Sequence, residues 1–504
     1  MRGDPVERQQ PPHWLPETLL LGVSALVLFT LMGQQTFHKT DGPDLVRMLH
    51  EGNLRHPWHV GYLPLLDAFR STLHAIGIEP SLIRLGALFS ACGAALGVAG
   101  FHAGLRMLAV PRNTALLGTG LLALNPGVVL FATVVEFHGP ALGAVGLAWW
   151  WTCRAARAPS LPSLLFLGAL THGAFLLHSS NLFLPALLLP WFVALRWSRG
   201  TLRRDLVLAF AAGAAHAAAF LLLPRLFPGA YGDYADLATA FAREASIGRP
   251  QSLDWLPVIL VQEWLWPLLP LSVTWIAACR VAALRPAVVA LCIGLVPYLY
   301  LCVRQLVHEP ERGAYLLPLL LPAAALSALS LPRAAVVALA AASGVAACWG
   351  WGVEQATLRR DYHDTVLEFR EAAGGGAYFA IVGRHDEMAT CFAVIAPADF
   401  AWIRPQAAMP REQCTEEVLA ATRNGLLAMH ASGRAVLLTA GARASLEDPA
   451  AVMRGEKATA DVPPTERMAG PLFLADLQQR FEFVAASVRR DGTVAVWRLV
   501  PRGN

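Results

Sequence analysis

The chain has 504 residues, 55% of them hydrophobic and only 15% charged, with a formal net charge of +4. Apolar residues gathered in long blocks at that proportion exclude a soluble globular chain and point to lipid-facing spans. The basic residues are scattered between the blocks rather than banded on one face, which excludes a nucleic-acid surface.

Residues 1–16 are polar and Pro-rich and read as a cytoplasmic N-terminus. The first apolar block, Glu17 to Gly33, has no small-residue cleavage site and is expected to stay as an anchor. A span needs about 20 apolar residues. On that measure about eleven are expected, near 17–35, 82–105, 114–133, 139–153, 161–178, 181–196, 205–224, 255–278, 286–303, 314–331 and 334–351. Residues 17–352 thus form an α-helical polytopic membrane domain with a long first outer loop, 36–81. The pair at 161–178 and 181–196 also reads as one tilted helix, which would move every later loop to the other side.

Arginine placement bears on sidedness, because cytoplasmic loops collect positive charge. With the N-terminus inside, Arg106, Arg112, Arg154, Arg157, Arg196, Arg199, Arg203, Arg204, Arg280, Arg285 and Arg333 all fall in inner loops. The short outer loops after the third and fifth spans hold no Lys or Arg. Outside then lie Asp41, Asp44, His56 and His59 of the first loop, Glu136 and His138 after the third span, and His178 and Asn181 in the fifth turn. Arg304, His308, Glu309, Glu311 and Arg312 before the tenth span join them. Ionisable groups collected at one membrane face favour chemistry or transport over packing.

Past residue 353 the composition changes. Residues 353–376, ending in Gly374-Gly375-Gly376, read as a linker, and 377–504 as a small extracytoplasmic α/β domain. Its expected elements are a strand at Tyr378–Val382, a helix at Glu416–His430, a strand at Ala435–Thr439, a helix at Leu472–Phe481, and strands at Phe483–Val488 and Thr493–Leu499. Cys391 and Cys414 of this tail are candidates for a disulfide if the tail is outside. The other cysteines sit in or beside spans and show no metal-ligand spacing.

A carboxylate at Asp41 or Asp44 suits removal of a proton from an attacking hydroxyl. Arg304 or Arg312, with His56 or His59, suits a phosphate, and Glu136, His138 and Asn181 suit a sugar. Plain structural roles stand beside these. Asp41 or Asp44 caps the helix begun near Pro43, His56-Pro57 shapes a turn, and His59 is interfacial. Glu136 is then an exposed turn residue, and Arg312 pairs with Glu309 or Glu311.

At these residues the chain resembles the GT-C superfamily of membrane glycosyltransferases, in its O-mannosyltransferase-related branch. Asp41-Gly42-Pro43-Asp44, followed by His56-Pro57-Trp58-His59-Val60-Gly61-Tyr62-Leu63-Pro64-Leu65, is similar to the branch's Asp-x-Gly-Glu and His-Pro-Pro-Gly-Tyr-Pro-Leu patterns. Glu309-Pro310-Glu311-Arg312-Gly313-Ala314-Tyr315-Leu316-Leu317-Pro318 is similar to the Arg-Tyr segment leading into a late span. It departs by splitting the Arg-Tyr pair with Gly313-Ala314, by Asp44 in place of Glu, and by His-Pro-Trp-His in place of His-Pro-Pro-Gly.

The resemblance implies an inverting transfer of a hexosyl or pentosyl group from a polyprenyl-phosphate sugar to an extracytoplasmic lipid, glycan or protein acceptor. It places the reaction at the bacterial cytoplasmic membrane, with Asp41 as base and Asp44 in the second acidic position. No cofactor is required by it, and a divalent metal stays open, since some members use one and others do not. A transporter or flippase of a lipid-linked saccharide and a non-catalytic envelope scaffold are the rival readings. The first would be expected to show paired hydropathy repeats and broken midspan segments.

Overall fold

The computed structural model describes residues 14–33, 41–56, 59–227, 269–305, 313–383, 399–402, 407–456, 462–489 and 491–503. The chain divides into two compact units, Met1–Gln35 with Met48–Val353, and Thr36–Arg47 with Glu354–Asn504.

The described part of every expected span is helical. In the first unit these helices are α1 (Leu15–Leu31), then α4 (Leu82–Met107), α5 (Arg112–Ala123) and α6 (Pro126–Thr133), α7 (His138–Arg157), α8 (Leu161–Leu177), α9 (Leu184–Arg196) and α10 (Leu202–Leu226). They continue with α11 (Leu269–Arg280), α12 (Arg285–Gln305), α13 (Leu317–Ser330) and the start of α14 (Arg333–Ala372). The first loop supplies α2 (Asp41–His50) and α3 (Tyr62–Ala75). Among the described residues five helices are long and apolar enough to cross a membrane, six if α5 and α6 count as one. Those two meet at 60°, where the Asn125 side chain accepts from the Gly127 N–H and Pro126 opens α6. The 161–196 stretch is two helices, separated by a 3-10 turn at Ser179–Phe183. Most of the eighth expected span lies outside the described residues.

The tightest pairing is α4 against α7, with glycine in place of side chains along the seam. A Cβ at Gly93 would come within 2.4 Å of Pro140 Cα, and one at Gly146 within 2.5 Å of Gly97 Cα. Small residues let membrane helices touch backbone to backbone where no hydrophobic force drives them together. This seam fixes the start of α7, and with it Glu136 and His138.

Histidines gather at one end of the bundle and arginines at the other. At the arginine end Glu17 accepts from Arg112 Nε at 2.5 Å and lies 3.1 Å from His102 Nε2, tying α1 to α4 and α5. Arg196, buried at the end of α9, donates to Asp205 Oδ1 (2.8 Å), to the Ala156 carbonyl (2.9 Å) and to Thr201 Oγ1 (3.1 Å). The Thr201 hydroxyl in turn donates to Asp205 Oδ2 at 2.6 Å, so α7, α9 and α10 share one satisfied ion pair.

The second unit is built on a five-stranded sheet. Its strands are β1 (Tyr378–Val382), β2 (Asp399–Trp402), β3 (Ala435–Thr439), β4 (Phe481–Val488) and β5 (Val494–Pro501), in the order β2-β1-β3-β5-β4. β1 pairs in parallel with β2 and β3, while β5 is antiparallel to β3 and β4. Successive strand residues face opposite sides. Thus Val436 and Leu438 meet Leu426, Phe473 and Leu477 of α15 (Glu416–Ala431) and α18 (Gly470–Arg480), whereas Leu437 packs with Phe369 near the end of α14. Between them α16 (Ala440–Glu447) and α17 (Pro449–Glu456) follow β3. Helix runs through the 353–376 stretch as far as Ala372, and Gly374 and Gly375, at φ +65° and +76°, turn the chain toward β1. Cys414 carries a free thiol, and Cys391 lies outside the described residues.

Candidate active site

The histidine end is assembled from three short connections between helices. The loop before α3 brings His56 and His59. It is held by the Gly61 N–H, which donates to the Leu176 carbonyl at 2.9 Å, and a Cβ at Gly61 would press within 3.2 Å of Leu176 Cβ. The break between α6 and α7 brings Glu136, Phe137 and His138, because extended backbone at Val134 ends α6. The turn after α8 brings His178, Ser180 and Asn181.

These connections converge. His56 stacks on His59 (ring centroids 4.9 Å apart), His59 on His178 (4.7 Å), and His178 packs against His138 (4.3 Å). His138 Nδ1 lies 3.5 Å from Glu136 Oε2, which also accepts from the Phe137 N–H at 3.3 Å. The Ser90 hydroxyl donates to the Glu136 carbonyl at 3.1 Å. Phe137 seats the row, with its ring 3.7 Å from that of His59, and Tyr315 presents an edge to His178 at 5.9 Å.

Two ring tautomers follow from main-chain donors. The Ser180 N–H donates to His178 Nδ1 at 3.3 Å, and the His59 N–H donates to His56 Nδ1 at 3.2 Å. An Nδ1 that accepts leaves the proton of a neutral ring on Nε2. Asn181 is fixed by its amide donating to the Ala174 carbonyl at 3.1 Å. Its Oδ1, His59 Nδ1 and the Tyr62 hydroxyl are buried with no hydrogen-bond partner among the described residues. Buried polar atoms left without a protein partner are open to a water or a ligand.

The electrostatics favour neutral donors. Burial, then the neighbouring rings of His178, His56 and His138, holds the loop residue His59 well below the usual imidazole range. Burial and the rings of His138 and His56 do the same to His178 in its turn. Burial, and secondly the Glu136 charge, pushes the Tyr62 phenol up, so it donates rather than acts as a base. At neutral pH His59 and His178 therefore offer hydrogen bonds and no positive charge.

A pH dependence follows. Both rings are neutral in the folded and unfolded chain above the reference value of 6.5, so they have no effect there. Below it the unfolded chain binds protons that the buried rings resist, and stability falls with pH by about 1 kcal/mol per unit for each ring. The thermal midpoint of the purified protein should hold from pH 8 to 7 and drop toward pH 5. His59→Asn should flatten that acid limb, and a wild-type midpoint unchanged down to pH 5 would exclude the effect.

Of the residues singled out in the sequence, His56, His59, Glu136, His138 and Asn181 come together here. The sequence places His178 at the same face but gives it no role, and its stacking between His59 and His138 makes it part of the row. Asp41 and Asp44 sit in the first turn of α2, and Arg304 in the last turn of α12, with side chains outside the described residues. Arg312 lies outside the described residues altogether. Among those described, no group of three or more His, Cys, Asp or Glu side chains is disposed to hold a metal ion. The space enclosed beside His138, His178, Ser180, Asn181 and Ala314 is about 10 Å³, room for roughly one water.

A polytopic helical bundle and a small α/β domain make up a fold that solved structures share. The chain is similar to the crystal structure of ArnT from Cupriavidus metallidurans in the apo state, with a TM-score of 0.52 at 12% identity, over 96% of this chain and 98% of that one. It is similar also to ArnT from the same organism bound to undecaprenyl phosphate, with a TM-score of 0.50 at 12% identity, over 87% of this chain and 95% of that one. No family model and no curated protein sequence matches the chain.

Proposed function

We propose that the chain is a membrane glycosyltransferase that moves a sugar from a polyprenyl-phosphate donor to an acceptor on the outer face of the bacterial cytoplasmic membrane. The observation that carries this reading is the meeting of the first-loop histidines with the Glu136–His138 connection at one end of a GT-C fold. The likeness to ArnT bound to undecaprenyl phosphate supports the donor class.

In this reading a first-loop carboxylate, Asp41, takes the proton of the acceptor hydroxyl. The oxygen attacks the anomeric carbon, the bond from that carbon to the lipid phosphate oxygen breaks, and configuration inverts. Asp44 stands beside the base, as its neighbour or as a metal ligand. Arg304 and Arg312 hold the departing phosphate, since guanidinium matches its oxygens two at a time. His59 donates to sugar or phosphate oxygens as a neutral ring, His56 and His138 contact the same oxygens, and Glu136 and Asn181 accept from sugar hydroxyls. The C-terminal α/β domain lies outside, on the acceptor side.

The test is transfer by the full chain reconstituted in vesicles with radiolabelled polyprenyl-phosphate sugars and an envelope extract. Release of polyprenyl phosphate together with a new glycosidic bond is the expected result. Passage of intact labelled lipid across the bilayer with no new bond would make the chain a flippase, and neither event would leave it a scaffold.

A further inference from the structure

The arginine end carries a second feature that the transfer reaction does not use. A groove of about 1300 Å³ opens there between α9, α10 and α12, larger than the roughly 300–1,000 Å³ of sites for drug-sized ligands. Gly213, Ala214 and Ala217 of α10 leave one wall without bulk, while Phe210, Val289 and Ile293 stand out from its rims into the surrounding apolar phase. Among the described residues its one charged lining residue is Arg285, the first of α12. Arg285 Nε donates to the Cys279 carbonyl at 3.0 Å, which fixes the guanidinium beside the groove, and its terminal nitrogens have no hydrogen bond among the described residues. Trp197 stands exposed at the same mouth, and Arg199, Arg203 and Arg280 are exposed at this end of the bundle.

Dimensions and charge together choose the occupant. From Arg285 to Ile293 the groove follows eight residues of helix, about 12 Å at 1.5 Å per residue, close to half of a hydrocarbon core of about 30 Å. That depth fits the chains of a lipid in one leaflet. The apolar walls ask for hydrocarbon, and a guanidinium over the mouth asks for a phosphate with net negative charge. We propose that the groove binds one anionic phospholipid, with its phosphate on Arg285 and its acyl chains between α9, α10 and α12. The site lies at the opposite end of the bundle from the histidines, so it is separate from the sugar-transfer site and stands whether or not that reading holds.

The experiment is native mass spectrometry of the full-length protein, delipidated in detergent and titrated with phosphatidylglycerol, phosphatidylethanolamine or undecaprenyl phosphate. One phosphatidylglycerol should be retained at least fivefold more tightly than phosphatidylethanolamine. Arg285→Gln should abolish that preference. Ala214→Phe should lower retention of both phospholipids by filling the groove, and Arg203→Gln, at the same end but off the groove, should change nothing. Equal retention of the two phospholipids, a preference that survives Arg285→Gln, a loss of equal size in Arg203→Gln, unchanged retention in Ala214→Phe, or displacement of phosphatidylglycerol by undecaprenyl phosphate would each overturn the assignment. Arg285 is exposed, so its variant reports even if Ala214→Phe does not fold.

Discussion

Asp41→Asn is expected to lower sugar transfer by about 100- to 10,000-fold, the range that a positioned general base contributes. The amide keeps the size and hydrogen-bonding reach of the carboxylate but cannot take a proton. The loss should therefore fall on turnover, with little change in the apparent affinity for the lipid donor. Asp44→Asn in the same assay separates the roles. A comparable loss that added divalent cation partly restores would make Asp44 a metal ligand, and a small loss insensitive to metal would make it a neighbour only. Full transfer by Asp41→Asn at normal expression would remove Asp41 as the base.

The second large effect is one of stability. Arg196→Met should destabilise the helical unit by roughly 3–5 kcal/mol, because it strands a buried carboxylate. Asp205 is 1% exposed and, among the described residues, keeps the Thr201 hydroxyl as its one side-chain partner once the guanidinium is gone. Removing both charges, as Arg196→Met with Asp205→Asn, should recover much of the loss, since an uncharged pair has no stranded ion to solvate. Thermal unfolding in detergent reads both variants against the wild type. A single variant that melts with the wild type, or a double variant no better than the single, would show that the pair is not what secures α7, α9 and α10.

What the sequence made legible follows the length over which each signal repeats. Apolar blocks of about 20 residues predict helices, and the described part of every expected span is helical, including the 161–196 pair, where His178 to Asn181 interrupt the block. In the tail, Ala435–Thr439 and Glu416–Ala431 stand where alternation and helical spacing put them. The strand at Asp399–Trp402 was not read because four residues carry too little pattern, and it exists by pairing in parallel with β1. The helices at 440–456 were missed as well, because they are only two turns each.

The candidate site was legible as a list of polar residues at one face but not as an arrangement. His56, Glu136 and His178 belong to three connections far apart in sequence, and nothing in any one of them announces that the rings will stack. Nor does the sequence say that His59 and His178 stay neutral. That follows from burial, which is a property of the fold.

The glycine seam has a consequence for how a bulky substrate gains admission. Gly93 meets Pro140, and Gly97 meets Gly146, with no side chain between them to swing aside, so α4 and α7 move as a single keel. Glu136 and His138 ride on that keel, while the small void beside them has Ala314, Leu317 and Pro318 as its facing wall. Under the proposed sugar transfer, room beyond one water comes from the start of α13 or from the turn that carries His178, Ser180 and Asn181, rather than from the seam.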